Sequence, residues 1–119
     1  MEENNEHHPQ TTWILMVRLF VGNANRSLVV SSLQGIVEMT RAQPDCRHFN
    51  ICQSLNRPDR LFLLQEWETR EALNRHIRSQ EFRVVLTAMD LSSSPPEVRI
   101  SSILSSEGLE YLETVLADA

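Results

Sequence analysis

Apolar residues in this chain come in two kinds of spacing, and the alternation between them lays out the fold. Trp13 to Val21, "WILMVRLFV", is apolar on both faces except at Arg18, and Gly22-Asn23 follows as a stop. That is the pattern of a strand buried on both sides. In "RSLVVSSLQGIVEMTRAQ", Val29, Leu33, Ile36, Val37 and Thr40 fall on one helical stripe, with Ser27 as the expected N-cap. Gly35 inside that helix costs about 1 kcal/mol relative to alanine, which points to close packing on a neighbour or a local weakness.

Pro44-Asp45 breaks the chain before "CRHFNICQSL". Strict alternation there puts Arg47, Phe49, Ile51 and Gln53 on one face and Cys46, His48, Asn50 and Cys52 on the other. The turn "NRPDR" joins it as a hairpin to "LFLLQEWE", in which Leu61 and Leu63 share the face that ends in Trp67. Thr69 is positioned to cap a second helix whose inner stripe holds Ala72, Leu73, His76 and Ile77. "SQEFRVVLTAMD" extends that helix or starts another after a kink near Ser79, with Phe82, Val85, Leu86 and Met89 together. After the linker "LSSSPP", Val98 and Ile100 alternate in a fourth strand. A last helix shows an apolar stripe of Leu109, Leu112, Val115 and Leu116, with Glu107, Glu110 and Glu113 as its wet side.

Strand, helix, strand, strand, helix, strand and a terminal helix make an α+β chain of the ferredoxin-like βαββαβ type, an antiparallel sheet with helices on one face. Residues 12–119 read as one domain and residues 1–11, with His7 and His8, as a disordered polar tail. Because two strands are apolar on both faces, the uncovered face needs a cover, and the simplest is the same face of a second copy. A homodimer closing two sheets into an α+β barrel is expected, with the C-terminal helix over part of the seam. The alternative is that helix folding over the open face of its own chain.

Composition narrows the partners. With eleven Lys+Arg against sixteen Asp+Glu and a net charge of −5, no basic stripe offers itself to nucleic acid. The apolar runs "WILMV" and "LFLL" are far short of the roughly 20 residues a membrane helix needs. The N-terminus lacks the basic-then-apolar layout of a signal peptide, so a cytoplasmic location is expected. Cys46 and Cys52, about 20 Å apart along one strand, cannot bridge each other and fit a reducing compartment. No Gly-rich phosphate loop and no Cys/His metal spacing is present, so neither cofactor nor metal is expected.

"RAQPDCRHF" and "LFLLQEWETREALNRHIRSQEF" resemble two signatures of the antibiotic biosynthesis monooxygenase family of dimeric α+β barrels. The resemblance spans roughly residues 13–104. Its most specific part is Trp67, the Glu71-Ala72-Leu73 triplet, His76 nine residues after the tryptophan, and Phe82. It implies oxygenation of a quinol or polycyclic phenol by dioxygen without metal, flavin or haem. Such chemistry asks the protein to deprotonate the substrate, hold it flat and exclude water, since an electron-rich phenolate can itself pass an electron to dioxygen. Two departures stand out. Gln65 occupies a position two before the tryptophan where members often have an acid, and Leu86 stands where haem-degrading relatives use a histidine.

On this reading His76 is the candidate base, against the alternative of a satisfied core or seam histidine. Trp67 would wall the substrate or donate from its indole nitrogen, against the alternative of a core tryptophan at the base of the helix. Gln65 and Leu63 join it on the strand, while His48 and Asn50 either line a cavity or lie on a solvated face or dimer rim. Arg18 calls for an ion pair with a carboxylate such as Glu66. Two other functions use the same residues: a non-catalytic ligand-binding dimeric barrel, and an isomerase or proton-transfer enzyme for a small hydroxyketone.

Overall fold

The computed structural model describes residues 11–118; apart from Thr11, the tail expected over residues 1–11 lies outside them. Strands β1 (Thr12–Phe20), β2 (Cys46–Gln53), β3 (Arg60–Trp67) and β4 (Glu97–Ile103) form one sheet in the order β2-β3-β1-β4, every pair antiparallel. Helices α1 (Asn23–Gln34), α2 (Val37–Arg41), α3 (Arg70–Ile77), α4 (Gln80–Asp90) and α5 (Leu109–Ala117) complete the chain. This is the α+β, ferredoxin-like order expected from the sequence.

Alternation decides which strand face is dry. Leu15, Val17 and Leu19 of β1, Leu61, Leu63, Gln65 and Trp67 of β3 and Phe49 of β2 are buried. Cross-strand register places them on one face, with Val17 opposite Leu63 and Gln65 between Leu15 and Phe49. Above them pack Val29 and Leu33 of α1, Ala72, Leu73 and His76 of α3, and Phe82, Val85 and Ala88 of α4. Each large aliphatic or aromatic side chain fully buried here contributes about 1.5–3 kcal/mol relative to exposure.

The first helix departs from expectation at both ends. It starts at Asn23 with Gly22 as N-cap, ahead of Ser27, and it stops at Gly35. There the Gly35 N–H meets the carbonyls of both Ser31 and Ser32, and the Ile36 N–H turns to Leu33 three residues back. This tightening is a 3₁₀-type exit, and α2 begins afresh with Thr40 still directed into the core. The local weakness that Gly35 implied is a break.

Strand β2 differs in phase. Cys46 pairs with Trp67 and His48 with Glu66, so Arg47 is an extra residue in a bulge. Cys46 therefore turns to the helix side, where it packs against the core, and does not share a face with His48 and Cys52. The partner of Arg18 is likewise not Glu66 but Glu97, 2.8 Å away on β4, which the register sets directly opposite. Arg18 also lies over the ring of Phe62 at 4.7 Å.

Thr69 caps α3 as expected, its hydroxyl accepting from the Ala72 N–H at 3.0 Å. Thr69→Ala should lower stability by about 1 kcal/mol, read as a drop in urea midpoint at unchanged slope. After Arg78 the chain restarts: Ser79 Oγ accepts from the Phe82 N–H and donates to the His76 carbonyl, which makes α4 a separate helix at an angle set by this corner.

The sheet face away from the helices carries Ile14, Met16, Phe20, Phe62 and Leu64, none of them buried. Val98 and Ile100 lie on the helix side of the sheet, on its β4 edge, but stay about half exposed, at 50% and 51%. Helix α5 has no buried residue and leaves Leu109, Leu112, Val115 and Leu116 open to solvent. It does not fold over the open sheet face of its own chain.

Candidate functional site

The strand-to-helix connection at Trp67-Glu68-Thr69 brings the end of β3 under the inner face of α3. Alternation turns Gln65 and Trp67 up from the sheet, and the Ala72–Leu73–His76 spacing turns the histidine down. The two rings meet at 4.8 Å between centroids, 30° apart in plane. Phe82 of α4 approaches the imidazole edge-on at 5.4 Å.

All three polar or aromatic side chains expected on this side of the sheet, Gln65, Trp67 and His76, are completely buried, and Leu63 is buried beside them. The Trp67 indole N–H donates to Gln65 Oε1 at 3.0 Å, so the amide uses the donor that a substrate would otherwise meet. Gln65 Nε2, Thr40 Oγ1 and both imidazole nitrogens have no hydrogen-bond partner among the described residues. Unpartnered buried polar atoms cost about 1–3 kcal/mol each, and three of these four belong to Gln65 and His76, the residues that meet Trp67.

One carboxylate reaches this region from α4. Glu81 Oε2 lies 3.9 Å from His76 Nδ1, with its side chain only 15% exposed, and Gln43 Nε2 donates to the same oxygen. Burial pushes the His76 pKa below its ordinary value near 6.5, and the Glu81 charge partly opposes that shift. The ring is thus a neutral base at pH 7. Since the unfolded chain binds a proton near pH 6.5 and the folded one only at lower pH, stability falls as pH drops through about 6.5. The slope approaches at most about 1.4 kcal/mol per pH unit for this one proton. Urea unfolding at pH 7.5 and 5.5 should show the loss, with a smaller loss in His76→Phe.

The other two expected residues lie elsewhere. His48 pairs with Glu66 and Asn50 with Leu64, on the sheet face away from the helices, so the sheet separates them from His76. Asn50 Oδ1 accepts from Arg41 Nη2 at 3.2 Å around the β2 edge. Sequence reasoning missed Glu81 and Gln43. Glu81 sits five residues after His76 across a helix break, and Gln43 lies in the α2–β2 turn, so no single-helix spacing relates either to the histidine.

A separate groove of about 580 Å³ runs between α1 and α4, with Leu28, Val29, Ile36, Val84, Ala88 and Leu91 in its lining. None of the expected site residues lines it. No helix among the described residues is long and apolar enough to cross a membrane.

Comparison with known proteins places this geometry. No curated protein sequence matches the chain. Among solved structures, an antibiotic biosynthesis monooxygenase superposes with a TM-score of 0.70 at 20% identity, over 78% of this chain and 99% of its own. Rv0793 from Mycobacterium tuberculosis gives 0.72 at 21% identity over 82% and 99%. A conserved protein from Methanosarcina mazei Go1 gives 0.72 at 20% over 81% and 96%. At these identities the likeness establishes the shared fold. The sequence model of the antibiotic biosynthesis monooxygenase family matches residues 12–87, from the first strand through most of α4 and including Gln65, Trp67, His76 and Glu81. The chain belongs to the antibiotic biosynthesis monooxygenase family.

Proposed function

We propose that this protein is a cofactor-independent monooxygenase of a quinol-like or polycyclic phenolic aromatic, working as a homodimer. The observation that carries the reading is the neutral, unbonded imidazole of His76 lying on Trp67 beside a carboxylate. A base with no hydrogen-bond partner among the described residues, next to an aromatic wall, suits removal of a phenolic proton. Trp67 and Phe82 pack on the fully buried ring and keep water from it, which favours a phenolate that reacts with dioxygen over one that is simply solvated. Overall, a hydroquinone and dioxygen become a hydroxyquinone and water, the substrate supplying all the electrons.

His76 is closed off in the structure, so an aromatic ring reaches it only if the surrounding packing opens, and we place that opening at the break between α3 and α4, at Arg78-Ser79. The closed core together with the apolar α1–α4 groove favours one second reading, a non-catalytic barrel that binds its ligand away from the Trp67–His76 contact. Oxygen-electrode traces over a panel of quinols and anthrone-like phenols, with chelator-treated protein, discriminate the two. Uptake with at least one substrate supports the monooxygenase; binding without uptake across the panel favours the second reading.

The dimer part of the proposal rests on Ile14, Met16, Phe20, Phe62 and Leu64, an apolar set on the sheet face that is not buried by any of the described residues. A second copy packed there, with α5 over part of the seam, would bury it. Light scattering at micromolar concentration should give twice the 13.7 kDa chain mass, and a stable monomer would remove the dimer. A cytoplasmic setting, where Cys46 and Cys52 stay as thiols, completes the proposal.

A further inference from the structure

We propose that Glu81 is a positioning residue for His76: its carboxylate, steadied by Gln43, holds the imidazole in the tautomer protonated on Nδ1 and leaves Nε2 as the basic nitrogen. The catalytic meaning of this pair rests on the monooxygenase reading; the pair itself does not.

A neutral imidazole carries its proton on one nitrogen, and the hydrogen bond or charge at the other end usually decides which. Here neither nitrogen has a hydrogen-bond partner among the described residues, so the nearest charge decides. The ring is met by Trp67 from β3 and by Phe82 and Glu81 from α4, and among these Glu81 is the titratable, charged group. Its Oε2 stands 3.9 Å from Nδ1, and an N–H dipole aimed at a carboxylate in a water-poor interior is favoured over a lone pair aimed at it. Gln43 donates to that same oxygen, which restrains the carboxylate at its place near Nδ1. Glu81 is itself placed by Ser79, whose cap starts α4 and sets Glu81 in its first turn, where a negative charge is also favoured by the helix dipole.

The arrangement has a consequence for proton transfer. When Nε2 takes a proton, the positive charge is shared with Nδ1–H and lies within ion-pair distance of Glu81, so the carboxylate stabilises the imidazolium that burial would otherwise resist. It acts through the histidine and need not touch the substrate.

The test is ¹⁵N NMR of histidine-labelled full-length protein at pH 7.5, without substrate. The expected spectrum shows His76 protonated on Nδ1 with a bare Nε2. In Glu81→Gln the two tautomers should become mixed and the imidazole titration should move to lower pH, because a charge that favours the imidazolium has gone. Glu81→Asp should restore part of both, and Gln43→Ala, which frees the carboxylate without removing it, should move both in the direction of Glu81→Gln by less. A wild-type ring protonated on Nε2, or a Glu81→Gln spectrum and titration equal to wild type, overturns the proposal. The wild-type spectrum alone decides if Glu81→Gln fails to fold. A held Nδ1–H tautomer in a protein that consumes no oxygen supports the pair and removes the monooxygenase reading; the opposite combination removes the pair and leaves that reading.

Discussion

Trp67→Ala is expected to leave this domain largely unfolded or close to it. Trp67 is completely buried, lies on His76 at 4.8 Å and has its indole N–H bonded to Gln65 Oε1. Truncating a buried tryptophan costs about 3–5 kcal/mol in lost contacts and cavity. The substitution also leaves Gln65 with no partner at either amide atom, adding about 1–3 kcal/mol. Against a usual total of about 5–15 kcal/mol, the sum is a large share. Trp13, opposite Trp67 on β1 but only half-buried, provides the control: Trp13→Ala should cost clearly less. Urea unfolding of both variants checks this, and equal losses would contradict the central place given to Trp67.

His76→Phe should separate stability from chemistry. The ring keeps its stack on Trp67 and its edge contact with Phe82, while two unpartnered buried nitrogens disappear. Stability should hold or rise, as it does when a functional polar group is replaced by an apolar one of similar shape. Oxygen uptake with any substrate the wild type turns over should fall by about 10²–10⁴, the usual contribution of a positioned general base. His76→Ala should show the same loss of turnover with a cavity cost in addition. A His76→Phe protein with wild-type uptake removes the histidine from the mechanism.

How far the sequence foretold these features depended on whether they were local. Two-residue alternation placed Leu61, Leu63, Gln65 and Trp67 on one face, and the helical stripe turned His76 inward, because both signals need only a few consecutive residues. The Thr69 cap was legible for the same reason. Features set by pairing between distant segments were not. The bulge at Arg47 reversed the face of Cys46, and the register of β1 on β4 gave Arg18 to Glu97. Glu81 and Gln43 came to His76 through a helix break and a turn, which no period in the sequence records. Gly35 signalled trouble in its helix, but only the doubled acceptors Ser31 and Ser32 show that the trouble is a stop. The open sheet face was foreseen from apolar residues on both sides of β1 and β3, and of the two places expected for the last helix, the structure excludes the one over its own sheet.

The central claim, that the reaction centre is the buried Trp67–His76 contact, is tested most directly by a crystal structure of the protein with a non-oxidisable quinol analogue. The account predicts the analogue's ring against Trp67, one hydroxyl within hydrogen-bond distance of His76 Nε2, and the α3–α4 corner opened to admit it. An analogue lodged in the α1–α4 groove, with the Trp67–His76 stack intact at its present 4.8 Å, would contradict it.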